Sequence, residues 1–372
     1  MTTTAATPPA KTSTAEHRFP CDTCGADLRY EPGARALNCD YCGNSQSVAP
    51  AAPVVSAIRE LDFAKATSGQ LSREEMEETR VLSCAGCGAQ VEFEPDIHAA
   101  ECPFCATPVV TDTGRHRHIK PRGVRPFVLR EATARDAMSD WLGGLWFAPS
   151  KLQQYARKGR RMQGIYVPYW TFDADTRSRY SGERGTVYYE TVTVHRDGKP
   201  ERRQVARIRW SPASGKVARA FDDVLVLASK SLPKHFTEGL EPWDLGGLQP
   251  YSPQFLAGFR AEGYQVLLED GFVEARDKMD EIIARDVRFA IGGDQQRIHD
   301  IDTDVRDVTF KHVLLPVWMA AYKYRGKTYR CVVNGRSGRV QGERPYSAIK
   351  IAFAVVLGLI VAAAMGYLWA TT

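Results

Sequence analysis

FPCDTCGADLRYEPGARALNCDYCGN, residues 19–44, holds four cysteines in two CxxC pairs that are separated by fourteen residues. Two thiolates on one tight turn can bind the same metal ion, and a second such turn completes a closed tetrahedral site of four sulfurs. Such sites are typical of structural zinc, because no coordination position stays open for a reacting water. The stretch therefore predicts a zinc ribbon with the ligands Cys21, Cys24, Cys39 and Cys42.

The same spacing recurs 63 residues further on, at Cys84, Cys87, Cys102 and Cys105. Both copies carry a Gly-Ala pair after the first CxxC and a Glu-Pro pair beyond it. This repetition indicates a duplicated ribbon and predicts two structural Zn²⁺ ions. Four disulfides are the alternative for eight cysteines, but the absence of a secretory signal favours reduced thiols and metal.

The C-terminal stretch IAFAVVLGLIVAAAMGYLW, residues 351–369, contains no charged residue. At about 1.5 Å per residue it is long enough to cross a hydrocarbon core of about 30 Å. Four basic residues precede it and none follows, so the positive-inside rule places the N-terminal bulk in the cytoplasm. We expect a tail-anchored, single-pass membrane protein; a buried core helix is the alternative.

The composition of the chain is that of an ordinary globular protein, with 372 residues, 44% hydrophobic and 25% charged. Its net charge of +5 is too small to indicate nucleic-acid binding by itself. We expect an α+β fold with two small four-cysteine zinc ribbons, a β-rich α+β middle domain and a single C-terminal transmembrane helix. The expected division is a disordered lead (1–16), ribbon 1 (17–46), a linker with a helix (47–80), ribbon 2 (81–112), the α+β domain (113–345) and the anchor (346–372). The composition of the stretch between the two ribbons predicts that they are tethered by a stiff linker rather than fused.

Periodicity and turn residues predict the main elements of the middle region. Helices are expected at 72–80, 131–142, 150–161 and 272–285, and hairpins at 185–210, turning at Asp197 and Gly198, and at 314–333. Cys331 is expected in the core of the second hairpin. The motifs IYVPYW (165–170) and LLPVW (314–318) resemble each other, which either paired β-subdomains or coincidence would explain.

Several charged groups are candidate sites. Basic residues cluster in 115–125 and 151–161 and could bind nucleic acid, lipid phosphate or an acidic partner, or form a solvated face. Carboxylates at Asp222 and Asp223, and in the 300–304 series, lack the pattern of an EF-hand and are expected to be loop or strand-face acids. Phosphate-loop, HExxH, GxSxG and GxGxxG motifs are absent from the sequence, so we expect no enzymatic activity.

The two cysteine stretches, 19–44 and 82–110, resemble the TFIIB-type zinc-ribbon proteins of bacteria. The segments HRHIKPRGVRPF, RRMQGIYVPYWTFDADTRS, FKHVLLPVWMAAYKYRGKTYR and VVNGRSGRVQGERPYSAIKIA resemble a bacterial family of membrane proteins over nearly the whole chain. Members of that family are often labelled primosomal protein N-prime (replication factor Y), a superfamily II helicase. That label implies DNA unwinding, whereas the present sequence shows no helicase motor motif.

Two functions are consistent with these observations. Ribbon proteins with a C-terminal span resemble membrane platforms that recruit partners of the SPFH or phage-shock type, which implies an adaptor at the bacterial inner membrane that presents its ribbons to a cytoplasmic protein. The alternative is a nucleic-acid-binding protein associated with DNA replication, in which the basic clusters contact phosphates.

Overall fold

A computed structural model describes residues 19–48, 58–84, 89–92, 99–102, 104, 108–110, 115–149, 162–196, 199–324 and 327–371. These residues form an α+β fold with five α-helices and one large β-sheet, which confirms the predicted fold class. The expected disordered lead, the helix at 150–161 and the turn residues Asp197 and Gly198 lie outside the described residues.

The described elements are the following. The strands are β1 (Leu28–Glu31), β2 (Ala36–Cys39), β3 (Ser45–Ser47), β4 (Leu61–Asp62), β5 (Met76–Ser83), β6 (Gln90–Glu92), β7 (Ala99–Glu101), β8 (Pro108–Val110), β9 (Arg115–Ile119), β10 (Gly123–Val124), β11 (Gln163–Arg196), β12 (Lys199–Leu227), β13 (Gln249–Pro250), β14 (Arg260–Ala261), β15 (Gln295–Tyr324), β16 (Lys327–Asn334) and β17 (Val340–Gly342). The α-helices are α1 (Phe63–Thr67), α2 (Glu131–Gly143), α3 (Lys234–Glu238), α4 (Leu268–Ile291) and α5 (Ala348–Thr371).

Three long strands form the frame of the large sheet. Strands β12, β11 and β15 lie side by side and antiparallel, and six shorter strands join the sheet at β11, β15 and their neighbours. At about 3.3 Å per residue, the 34 residues of β11 span about 110 Å of extended chain. The predicted hairpins are confirmed, but β11, β12 and β15 are far longer than predicted. Polar residues between the apolar runs continue the ladder, and in β11 one face is buried at Ala174, Thr176 and Ser178 while the alternate residues are exposed.

The helix α4 packs against these strands with one apolar face. Its buried residues recur every three to four positions and are Leu268, Gly271, Ala275, Met279, Ile283, Val287 and Ile291. They form one cluster with Trp170, Phe172 and Phe310 of the sheet. A Cβ atom at Gly271 would lie 2.7 Å from Cδ1 of Trp170, so only glycine allows this close approach. The predicted helix at 272–285 is confirmed and extends further at both ends.

The prediction of a helix at 72–80 is wrong. Ser72 does cap a helical turn, and its backbone N–H donates to the Glu75 carboxylate at 2.8 Å, but the helix is a single 3₁₀ turn, Arg73–Glu75. From Met76 onward the chain is strand β5, which pairs antiparallel with β9 and β6. Pairing with these sequence-distant strands overrides the local helical signal.

The resemblance between IYVPYW and LLPVW reflects a local two-fold axis. Strands β11 and β15 pair antiparallel with Val167 opposite Leu315. A rotation about this pair moves each residue of 163–172 in β11 onto the residue 148 positions later in β15. It therefore superimposes Pro168 on Pro316, and likewise the two tryptophans that follow. Residues that share a pattern in the sequence thus occupy equivalent positions in the sheet.

Hydrogen bonds around the axis follow the same symmetry. The Trp170 indole donates to the Val266 carbonyl at 3.0 Å, and the Trp318 indole donates to the Leu129 carbonyl at 2.9 Å. Each acceptor lies one residue before the N-cap of a helix, α4 and α2 respectively. The strands that lead into these helices also match, because β14 pairs parallel with β11 as β10 does with β15.

The middle region is therefore an internal repeat. One half is β10-α2-β11-β12 and the other is β14-α4-β15-β16, and the tryptophan of each half binds the helix start of the other half. The two motifs therefore reflect paired β-subdomains, which interlock in the structure. Coincidence, the other explanation of their resemblance, is not needed.

Both cysteine regions pack directly on this repeat, whereas residues 49–57 of the expected linker between the ribbons lie outside the described residues. The Tyr30 ring contacts Phe255 edge-on with centroids 5.5 Å apart, and the Tyr30 amide donates to the Ala257 carbonyl at 2.9 Å. In the second region, Cys84 and Phe104 are buried in one cluster with strands β11 and β15. Apolar burial drives both contacts.

Beyond its first turn, the C-terminal helix α5 is not buried against the rest of the described molecule. Its residues Ala348–Trp369 form 22 residues that are long and apolar enough to cross a membrane, and none of the most apolar part is buried against the protein. At about 1.5 Å per residue, this segment is about 33 Å long. The structure thus agrees with the predicted span in position and length.

The internal repeat predicts matched effects of two substitutions. Trp170→Phe and Trp318→Phe each remove an indole that bonds the carbonyl before a helix, so each should lower the free energy of unfolding by about 1–2 kcal/mol. Denaturant unfolding of the detergent-solubilised chain, followed by far-ultraviolet circular dichroism, measures the free energy of unfolding of each variant. The control Trp369→Phe, at an exposed position, should have no effect. A large loss of unfolding free energy for one of the two variants and none for the other would contradict the equivalence of Trp170 and Trp318.

Candidate metal centre

The first cysteine region is a small three-stranded antiparallel sheet with two tight turns. Strands β1, β2 and β3 pair in chain order, and Cys39 ends β2 opposite Leu28. The amide of Gly25 donates to the Cys21 carbonyl at 2.8 Å, and that of Gly43 to the Cys39 carbonyl at 3.0 Å. Both glycines have a positive φ, +74° and +73°, which residues with a side chain rarely adopt. The two turns are thus built alike and bring the cysteines together.

The four sulfurs have the spacing of a metal site. The Sγ atoms of Cys21, Cys24, Cys39 and Cys42 all lie within 4.8 Å of one another. The Cys21–Cys42 and Cys24–Cys39 sulfurs are 3.5 Å apart, whereas a disulfide requires about 2.05 Å. Sulfurs about 2.3 Å from a tetrahedral Zn²⁺ would be about 3.8 Å from each other. The cluster therefore could hold one metal ion, with all four positions supplied by the protein.

Backbone amides around the sulfurs favour negative charge on two of them. Hydrogen bonds from the amides of Cys42 and Tyr41 lower the pKa of Cys39. Burial opposes ionisation of Cys21, but amide hydrogen bonds from the following turn outweigh it and lower its pKa to about 6. An amide also favours the Cys42 thiolate, yet burial and the neighbouring sulfurs raise its pKa to about 12. A divalent cation would offset this repulsion between sulfurs and allow all four to ionise.

The described part of the second cysteine region repeats this geometry. The amide of Cys84 donates to the Ala89 carbonyl at 2.8 Å, as the amide of Cys21 does to Ala26 at 2.7 Å. Cys84 and Cys102 are buried, like their counterparts in the first region. Cys87 and Cys105 lie outside the described residues. The described residues therefore establish one four-cysteine cluster, and they include two of the four cysteines of the second region.

The structure also brings three carboxylates together, those of Asp173, Asp222 and Asp223. The ammonium group of buried Lys311 lies 2.8 Å from Asp223 and 3.4 Å from Asp173, and it also bonds Glu60 at 2.9 Å. A protein cation thus already pairs with two of the three aspartates. Burial and the adjacent Glu60 raise the pKa of Asp173 to about 7. Asp173 and Asp223 belong to an ion network around Lys311, and Asp222 beside them is exposed.

The acidic series of β15 is a strand face in solvent. Asp302 bonds Arg179 of the neighbouring strand at 2.8 Å, and Asp304 pairs with Arg306. All three acids, including Asp300, are exposed. The expectation of strand-face carboxylates is confirmed.

Among the described side chains of the basic segment 115–125, Arg125 is not part of an exposed surface. Arg115–Ile119 is strand β9, and Arg122 donates to the Arg59 carbonyl at 3.2 Å. The Arg125 side chain is buried, where it pairs with Asp244 and donates to the Gly247 carbonyl. A buried and neutralised guanidinium is not available to a phosphate. The second cluster, at 151–161, lies outside the described residues.

A buried polar pocket was not predicted from the sequence. Glu262 accepts hydrogen bonds from the hydroxyls of Ser229 and Ser231, and burial raises its pKa to about 8. Nearby, burial lowers the pKa of His312 to about 4, and its Nδ1 lies 2.8 Å from the Ile119 carbonyl. Both groups line a cavity of about 20 Å³, which is room for one water. No motif marks these residues, although the internal repeat places Glu262 at the position equivalent to Arg125.

Comparison with known proteins identifies a distant relative. The chain is 24% identical over 342 residues to "Uncharacterized protein YdjG" of Bacillus subtilis (strain 168), and the match covers 90% of this chain and 92% of the relative. No protein-family model matches the chain, and neither does a solved structure.

The metal centre predicts a selective effect of cysteine substitution. Cys39→Ser should remove one bound metal ion per chain, because a closed four-thiolate site needs all of its ligands. The matched control is Cys331→Ser, since Cys331 is a buried thiol of β16 outside the cluster. Metal content of the purified, detergent-solubilised variants is measured by plasma mass spectrometry. Equal metal in the wild type and in Cys39→Ser would contradict the assignment.

Proposed function

We propose that this chain is a non-enzymatic membrane adaptor that presents zinc ribbons to a cytoplasmic protein partner. The observation that carries the proposal is the combination of a closed four-cysteine cluster, packed on a rigid sheet, with an apolar C-terminal helix on the same chain. A closed site stabilises a surface and offers no open coordination position for chemistry. The helix would fix that surface at a membrane.

Zinc is the metal that the ligands favour. Four thiolates at tetrahedral spacing are typical of structural Zn²⁺, and the mixed burial of the cluster leaves the sulfurs shielded on one side by the protein. We extend the assignment to a second Zn²⁺ bound by Cys84, Cys87, Cys102 and Cys105. Its support is the repeated spacing together with the repeated hydrogen bond at the first cysteine of each ribbon.

The cytoplasmic orientation at a bacterial inner membrane is part of the proposal. Arg344 and Lys350 flank the start of α5, and Arg339 and Arg336 lie 9 and 12 residues before Ala348. A basic flank of this kind favours the cytoplasmic side. That compartment is reducing, as free zinc-binding thiols require.

The first ribbon offers an anchor for a protein partner at Tyr41. This tyrosine lies between Cys39 and Cys42 on the second turn, and 85% of its surface is exposed. Its backbone is fixed by the turn, so a large amphipathic ring is held out at low entropic cost. Metal binding would hold the turn, and with it the ring, in this position.

The proposal predicts a metal-dependent contact at Tyr41. A photo-crosslinking amino acid at position 41 of the full-length chain in its native membrane should give a defined protein adduct, and Cys39→Ser in the same chain should abolish it. Position 289 is the control, because Phe289 is 91% exposed on α4, away from the ribbon. Adducts are resolved by gel and mass spectrometry.

Two results would contradict the adaptor. One is the same set of adducts from positions 41 and 289. The other is crosslinking of position 41 to nucleic acid, with binding by the full-length chain that falls steeply as salt rises, since phosphate contacts release counterions. The second result would favour the nucleic-acid alternative.

A further inference from the structure

A short loop next to the C-terminal helix exposes two large aromatic side chains. It follows α2, which ends at Gly143, and comprises residues 144–149. Trp146 is 75% exposed and Phe147 is 41% exposed. Neighbouring residues on both sides are held by the protein, because Leu142 and Ala148 are buried in the core. The aromatic pair is therefore displayed from a fixed base.

The backbone of this loop is ordered by turn hydrogen bonds. The Gly144 amide donates to the Asp140 carbonyl at 3.0 Å, which ends the helix, and the Ala148 amide donates to the Leu145 carbonyl at 3.0 Å. These bonds orient Trp146 and Phe147 outward between two buried neighbours. Exposed tryptophan and phenylalanine side by side are costly in water, at about 25 cal/mol per Å² of apolar surface.

The loop is bonded to the first turn of α5. The Ser347 amide donates to the Phe147 carbonyl at 2.7 Å, and the Lys350 ammonium donates to the Ala148 carbonyl at 2.9 Å. These contacts hold the loop at the end of the apolar helix, where Tyr346 is also exposed. When α5 spans a bilayer, its first turn lies at the headgroup level, and the bonded loop lies there too.

We propose that Trp146 and Phe147 insert into the lipid interface and form a second membrane contact beside α5. The inference rests on the proposed anchoring by that helix. Tryptophan suits this depth, because its ring is apolar and its N–H can bond headgroups or water. A single helix leaves the attached domain free to rotate and tilt. A second contact beside the helix would fix the orientation of the sheet and ribbons relative to the membrane.

Quenching of tryptophan fluorescence by brominated phosphatidylcholine tests this contact. The full-length chain is reconstituted in vesicles with and without the brominated lipid, and its seven tryptophans are compared through single Trp→Phe variants. Trp146→Phe should lower the quenched fraction of the emission. Trp210→Phe is the matched control and should not lower it, since the Trp210 ring packs under the Arg297 guanidinium at 3.9 Å on the long hairpin. Circular dichroism checks that both variants keep the fold of the wild type.

The variant Trp369→Phe separates the two ways in which the inference could fail. Trp369 lies at the far end of the span, so its loss reports insertion of α5 itself. A drop in quenching for Trp369→Phe but not for Trp146→Phe would overturn the second contact and leave the anchor intact. No quenching in the wild type would overturn the anchor, and the inference with it.

Discussion

The antiparallel pairing of β11 with β15 is the constraint on which the other parts of the molecule depend. It places the two repeat halves about the Val167–Leu315 pair, and each half then closes over the helix start of the other. Both strands are buried here on both faces, so a shift of one residue would misplace every core side chain. The register also fixes the segments before α2 and α4, which run parallel to the central strands.

The ribbons use this fixed frame as their support. Ribbon 1 contacts the segment around Phe255 and Ala257 through Tyr30, and the second cysteine region is bonded to Gly263 by a hydrogen bond of 3.2 Å to the Gln90 carbonyl. Short ribbons bury too little apolar surface to fold alone, and structural zinc typically supplies about 10 kcal/mol or more. A bound ion and packing would therefore act together: the ion would fix the two turns, and contacts with the sheet hold the ribbon in place.

Much of this could be predicted from local sequence patterns. The cysteine spacing gave the first metal site, the uncharged run gave the apolar helix α5, and alternating apolar residues gave both hairpins. The predictions that were wrong concern residues whose structure depends on contacts with distant parts of the chain. Residues 76–80 follow a good capping box, yet they form a strand because β9 lies beside them. Arg125 looked like part of a basic surface, and its burial follows from Asp244, which is more than a hundred residues away. The docking of the ribbons depends on Tyr30, which resembles any other strand residue in the sequence.

Hydrogen exchange of the full-length chain in detergent, before and after metal removal by a chelator, tests the central claim most directly. The claim is that the metal maintains ribbon 1 as a unit packed on an independently stable sheet. Metal removal should speed exchange in residues 19–48 and in the contact segment 255–259, and should leave the central strands at 165–172 and 313–319 protected. Faster exchange throughout the sheet, or unchanged protection in the ribbon, would contradict the account.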